Sequence, residues 1–230
     1  MIRQATDEDW DQISEVSKRS GYEDYINHEG KSYLKWGEVL VYEDRTIGGF
    51  SKIEYLDDGS AWLSGLRVHP AYWRRGIGTK LTEASIELAL EHNCTSARML
   101  INDENEASLN LSLKLGFRII ESFYFLDGIP VLDRFKTSET NYYGLLNRGW
   151  KFTKNKGPVL SSVRGDTNAR WAVYRGDSDT AQILQKSDEP LEFTGSGYTC
   201  ISSSINLNTI LEKHLDLEFT FAHVLEKKIK

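Results

Sequence analysis

The chain has 230 residues, 40% hydrophobic and 27% charged, a composition that fits a soluble globular protein with one large core or two smaller ones. A net charge of −6 speaks against a general nucleic-acid binder. Two isolated cysteines, Cys94 and Cys200, are too few for a disulfide framework or a thiolate metal site, the start MIRQATDEDW is too polar for a signal peptide, and no apolar run nears the ~20 residues of a membrane span, so a cytoplasmic protein is expected.

A first helix is expected from TDEDWDQISEVSKRS, with Thr6 and Asp9 as its capping pair and Trp10, Ile13 and Val16 at helical spacing. Strands follow at 38–44 and 46–56, then the hairpin turn DDGS and a third strand that Pro70 stops. A helix from about Gly76 to His92 carries Leu81, Ala84, Leu88 and Ala89 on one face. SARMLIN reads as a buried strand, ENEASLNLSLKLG as a helix ended by Gly116, and FRIIESFYFL as a strand. This order predicts a mixed α/β (α+β) domain over residues 1–135.

Residues 136–230 change character and predict a smaller α+β domain. The expected elements are a hairpin over 165–185, one or two strands in LEFTGSGYTCISSS, a helix in NLNTILEKHLDL and a last strand in EFTFAHVLEKK. The junction is expected within FKTSETNYYGLLNRGWKFTKNKGP. Charge divides similarly: residues 1–135 carry 15 Lys and Arg against 23 Asp and Glu, a charge of −8, and the rest carries 13 against 11, a charge of +2. The acidic part leans towards a cationic partner.

The chemistry concentrates in RVHPAYWRRGIGTKL. A strand ends, two arginines and two glycines follow, and a helix begins. A helix start exposes unpaired N–H groups and the positive end of the dipole, and glycines let a ligand approach the backbone. Strand, glycine loop and helix start together make a phosphate cradle, with Arg74 and Arg75 adding charge at its rim. It is not a Walker A loop, because Lys80 follows Thr79, and it lacks the third glycine of a dinucleotide fingerprint.

RVHPAYWRRGIG followed some thirty residues later by NEASLNLSLKLGF resembles the GCN5-related N-acetyltransferase (GNAT) family over roughly residues 2–126. The resemblance implies an acetyl-CoA site where the strand at 61–68 splays from that at 96–101. Arg75, Gly76, Ile77, Gly78 and Thr79 would hold the pyrophosphate through their amides. Leu66 and Val68, with Arg67 between them, would pair with the pantetheine arm, and Asn105 would reach the arm from its helix start. A deprotonated amine would attack the thioester directly, and an amide of the strand at 61–68 would stabilise the oxyanion.

Two positions depart from the family pattern. Trp73 stands where the motif usually has Arg or Gln, so Arg74 or Arg75 takes over that charge and Trp73 packs at the loop base or stacks on adenine. Ser112 stands where the family often has the tyrosine that protonates the leaving thiolate, with Tyr124 and Tyr142 as possible substitutes. Glu54 is the candidate general base, ahead of Asp57, Asp58 and Glu38. His69 reads as a surface or capping residue, and His28, His92, His214 and His223 show no metal spacing, so no metal is expected. Tyr22 and Tyr25 lie in the region that covers the acceptor site in the family. Trp36, Trp62, Trp150 and Trp171 read as core.

The expected activity is acetyl transfer from acetyl-CoA to a primary amine, on a small molecule or a protein, without nucleic acid or membrane as partner. The competing reading is a CoA-binding module with little catalysis, and a third is transfer of a longer acyl group. Residues after 135 could wall the acceptor pocket, form a homodimer surface, or supply the family's last strand before a small α+β domain. The small domain shaping the acceptor side is the favoured expectation.

Overall fold

The computed structural model describes residues 1–21, 25–166, 169–177, 179–205 and 219–230. Tyr22, His214 and the helix expected over 206–217 lie outside the described residues. The chain opens with a strand too short for a sequence pattern to reveal, β1 (Ile2–Gln4), which pairs antiparallel with β2 (Glu38–Asp44). Asp9 then starts the first helix as expected: its carboxylate accepts the Thr6 backbone N–H at 2.7 Å. The same carboxylate takes two bonds from the Arg3 guanidinium, at 2.7 and 2.8 Å.

Helix α1 (Trp10–Arg19) and the short α2 (Tyr25–Glu29) lie on one face of the first sheet. Ile13, Val16 and Ile26 join Tyr33, Val39, Val41 and Phe50 in one cluster. Helix α3 (Ile77–Glu91) covers the opposite face, where Ile77 and Leu81 pack on Leu40. Successive strand residues point to opposite faces, so Leu40 turns one way and its neighbours Val39 and Val41 the other. β2, β3 (Thr46–Tyr55) and β4 (Ser60–Val68) form the expected antiparallel meander, and β5 (Ser96–Asn102) joins β4 in parallel. Helix α4 (Glu106–Lys114) and β6 (Arg118–Pro130) follow.

Packing divides the chain into two units. One holds Met1–Met99, Ala107–Arg118 and Glu226–Lys230, and the other Leu100–Glu106 and Ile119–Leu225. Composition suggested a single cut at 135/136, whereas packing assigns residues on both sides of that point to the second unit. In the first unit the strand order is β1-β2-β3-β4-β5.

The stretch expected to hold the junction is instead the body of a long hairpin. β7 (Lys136–Asn147) pairs with β8 (Phe152–Asp166) from Lys136↔Val163 to Asn147↔Phe152. Few of its positions are apolar, so no strand period shows in the sequence where the junction was expected. β9 (Ala169–Arg175) and β10 (Thr180–Gln185) form the expected hairpin, and β11 (Phe193–Ser202) lies parallel to β10. Trp171, Ile183, Leu191, Ile201 and Leu126 make a core there. The last strand, β12 (Phe219–Lys228), gives the second unit the order β12-β6-β11-β10-β9-β8-β7. Everything from β7 to β11 is thus an excursion between β6 and the final strand, and Glu226–Lys230 return to the first unit.

Candidate functional site

β4 and β5 pair over three residues, Ser60↔Ser96, Ala61↔Ala97 and Trp62↔Arg98. β4 then continues to Val68, and Ser64 to Val68 are all half-exposed in a strand that has β3 on one side and β5 on the other. A bulge turns β4 there. Between Lys52↔Ser64 and Phe50↔Arg67, β3 advances two residues and β4 three. Gly65 sits in the bulge at φ +61°, and the buried Tyr33 hydroxyl occupies the space a side chain would need.

His69 N–H donates to Gly48 O at 2.9 Å, so Arg67 and His69 face β3 while Leu66 and Val68 turn their backbone groups to the other edge. There, Leu66 O accepts from Arg67 Nη1 at 3.0 Å and Val68 O from Trp73 Nε1 at 2.7 Å. Trp73 is 57% exposed, so it meets the loop base through its indole N–H and is not sunk in the core. His69 is the capping residue expected: its Nδ1 accepts the Ala71 N–H at 3.1 Å.

The loop into α3 has left-handed residues on either side of Arg75, Arg74 at φ +60° and Gly76 at φ +73°. The first bond closing the helix runs from Lys80 N to Gly76 O at 3.0 Å. The N–H groups of Ile77, Gly78 and Thr79 therefore precede the helical ladder and point out of the helix start with its positive dipole. Nothing lies within 4 Å of where a Cβ would stand on Gly76, so the approach is open. Ile77 is buried and anchors the turn, while Arg74 and Arg75 are exposed, with the Arg75 guanidinium 5.3 Å from the Tyr72 ring centre. Leu66, Val68, Tyr72 and Ile77 share one apolar cluster, which brings the outward strand edge and the helix start together.

The model of the acetyltransferase (GNAT) family matches residues 2–117. The chain belongs to the GNAT family. No curated protein sequence matches it. Among solved structures, a Thermoplasma acidophilum protein provisionally assigned as an acetyltransferase is similar at 18% identity and a TM-score of 0.60, covering 99% of both chains. A Pyrococcus horikoshii protein with the same provisional assignment has 17% identity and a TM-score of 0.59, covering 100% of this chain and 89% of its own. The PaiA N-acetyltransferase of Thermoplasma acidophilum, solved with coenzyme A, is similar at 20% identity over 53% of this chain and 91% of its own, with a TM-score of 0.48. At these identities the likeness concerns the fold.

The catalytic positions expected of a GNAT member are placed as follows. Ser112 lies on α4, 2% exposed, and its hydroxyl donates to Met99 Sδ at 3.1 Å. That geometry assigns Ser112 to the packing of α4 on β5. Tyr124 packs against Phe219 and Phe221. Tyr142 donates to Leu145 O at 3.2 Å, and burial, reinforced by Glu121, pushes its hydroxyl above the ordinary tyrosine range, which makes it a poor acid. Asn105 precedes α4, and its N–H donates to Asn102 O at 2.9 Å.

Among the carboxylates, Glu38 accepts from Tyr55 Oη at 2.8 Å and Asp58 is bound by Arg98 and Ser60. Glu54 is half-exposed on β3, opposite Trp62 and against Gly37. On the same face of β3 lies a residue that sequence reasoning passed over. Lys52 is 5% exposed; its Nζ donates to Tyr33 O at 3.1 Å and stands 4.3 Å from the Tyr33 ring centre. A lysine between the apolar residues Phe50 and Ile53 in GGFSKIEY was the available signal.

In the second unit, His223 bridges two side chains, with Nδ1 2.8 Å from Ser122 Oγ and Nε2 2.8 Å from Asp103 Oδ1. No spacing rule links residues so far apart in sequence. Trp62 and Trp171 are core as expected, but Trp36 is 70% exposed and Trp150 stacks on Phe125 at the surface. Tyr25 is half-exposed, edge-on to Tyr33. Both cysteines are buried and free. Among the described residues, no helix is long and apolar enough to cross a membrane, and no three His, Cys, Asp or Glu side chains gather as a metal would require.

Proposed function

We propose that this GNAT protein transfers an acetyl group from acetyl-CoA to a primary amine in a ternary complex. One observation carries the reading: the outward backbone edge of Leu66 and Val68 lies beside a helix start whose amides at Ile77, Gly78 and Thr79 are outside the helical ladder. A strand edge suits an extended amide-bearing arm, and three convergent N–H groups with a dipole suit a pyrophosphate. The residues present fit acetyl-CoA on this ground. Bound there, acetyl-CoA supplies the activated thioester.

The amides of Arg75 to Thr79 would hold its phosphates, Arg74 and Arg75 would add charge at the rim, and Leu66 and Val68 would pair with the pantetheine arm. Glu54 takes the proton of the attacking amine, through water where the amine does not touch it. No enzyme group is needed to protonate a thiolate whose conjugate acid has a pKa of about 8.5, which agrees with a Ser112 hydroxyl held on sulfur.

Turnover tests this directly: acetyl-CoA with a panel of primary amines, read by thiol release. Thiol release that depends on amine and falls about 10²-fold or more in Glu54→Gln supports the reading. The second reading, a CoA-binding module with little catalysis, is favoured by the same buried Ser112. Tight acetyl-CoA binding without turnover on any amine would select it.

A further inference from the structure

The fork between β4 and β5 has a built base. Arg98 stands at the last paired register, opposite Trp62, and is 2% exposed. Its Nη1 donates to Asp58 Oδ2 at 2.6 Å and to Ser60 Oγ at 3.0 Å, and its Nε donates to Glu226 Oε1 at 2.9 Å. Asp58 belongs to the turn that starts β4, Ser60 is the first residue of β4, and Glu226 lies on β12. Asp58 Oδ1 in turn accepts from Ser60 N at 3.2 Å and Ser60 Oγ at 2.5 Å. Lys228 Nζ lies 3.5 Å from Glu226 Oε2 and balances the second carboxylate.

The segment after Glu226 is tied to the same unit, through Lys227 Nζ to Leu115 O at 2.7 Å and Ile229 N to Thr95 O at 3.1 Å. One planar guanidinium thus joins three chain segments at the point where pairing stops. Its donors are fixed in direction, so it sets a geometry as well as a charge balance.

We propose that Arg98 is the positioning residue that fixes where β4 and β5 part, and that through it Glu226 is required for the pantetheine half of acetyl-CoA to bind. The inference rests on the function proposed above. If the hub is lost, the ladder advances or loosens at Trp62↔Arg98, and the outward edge of Leu66 and Val68 shifts with it. The helix start at Gly76 has a further anchor that the hub does not touch, Ile77 and Leu81 packed on Leu40 of β2. Arm and phosphate contacts therefore respond differently to the same change.

The test is calorimetry on the full chain with two ligands: acetyl-CoA, and 3′-phosphoadenosine 5′-diphosphate, which is the coenzyme without its arm. Glu226→Gln and Arg98→Lys are the variants, with Arg98→Met in reserve because it leaves two buried carboxylates and could unfold the unit. The expected result is that each of the first two weakens acetyl-CoA at least tenfold and leaves the nucleotide within threefold. The double variant should weaken acetyl-CoA no further than the stronger single one, since both changes break one hub. Parallel loss of both ligands, or no loss of either, overturns the proposal. A wild-type chain that binds neither ligand overturns the functional reading itself, and the proposal with it.

Discussion

Gly78→Asp separates binding from folding because the two respond with opposite sign. Gly78 is the second residue of α3 and has an ordinary helical φ, so the backbone tolerates a side chain. A Cβ there would stand 3.1 Å from Leu111 Cδ1 and 3.7 Å from Leu66 Cδ2, a tight but soft contact with methyl groups. An acidic group in the first turn of a helix stabilises it by about 0.3–1 kcal/mol, which offsets much of that contact. For a bound phosphate the same carboxylate is a like charge. At a separation of about 5 Å and an effective dielectric of about 20, each charge pair costs about 3 kcal/mol, or roughly 10²-fold in affinity.

Steric exclusion of the pyrophosphate from the amides adds to this. The expected outcome in calorimetry is loss of acetyl-CoA binding by 10²-fold or more, with a thermal midpoint within about 4 °C of wild type. A Gly78→Asp protein that binds as wild type does would refute the assignment of the phosphate to these amides. A protein that merely unfolds would refute the packing argument at Leu111.

Ser112→Ala should leave kcat within about threefold, because the hydroxyl is bonded to Met99 Sδ; a drop in the 10²–10⁴ range would restore Ser112 as the acid. Gly65→Ala should destabilise the fold by more than the ~1–2 kcal/mol of left-handed strain, since its Cβ collides with the Tyr33 hydroxyl. Gly59→Ala, at φ +75° with open space around it, should show the strain alone, and equal midpoints for the two in urea would count against the bulge argument. Hydrogen bonds from Arg3 hold the Asp9 carboxyl down at about 2, below its unfolded value. Its stabilisation, about 2 kcal/mol, is therefore complete above the ordinary carboxylate range and is lost as pH falls towards 2. Asp9→Asn should cost that much at pH 7, and the gap to wild type should close between about pH 4 and pH 2; a gap independent of pH would show that Asp9 acts by packing.

Local features of this chain were legible in its residues. Thr6 and Asp9 cap a helix by short-range hydrogen bonds, DDGS turns a hairpin, and RRGIG opens a helix with spare amides, because each depends on a few consecutive residues. The cradle residues Gly76, Ile77, Gly78 and Thr79 could be named for that reason. Long-range pairing decided the rest. The hairpin of β7 and β8 lies where the domain junction was expected, since strand pairing depends on a partner and β patterns are weak without one.

The final strand returns to β6 and the first unit only after the β7–β11 excursion, which no periodicity records. Ser112 keeps its place in the motif, but its burial against Met99 comes from the packing of α4 on β5. Arg98 and Glu226 are 128 positions apart, and with Asp58 they become one hub only when three segments converge. Sequence determines what each short stretch can form, because propensity, capping and turn chemistry act over a few residues. Burial and side-chain partnership come from contacts between distant segments, so the fork, its base and the fate of Ser112 belong to the tertiary structure.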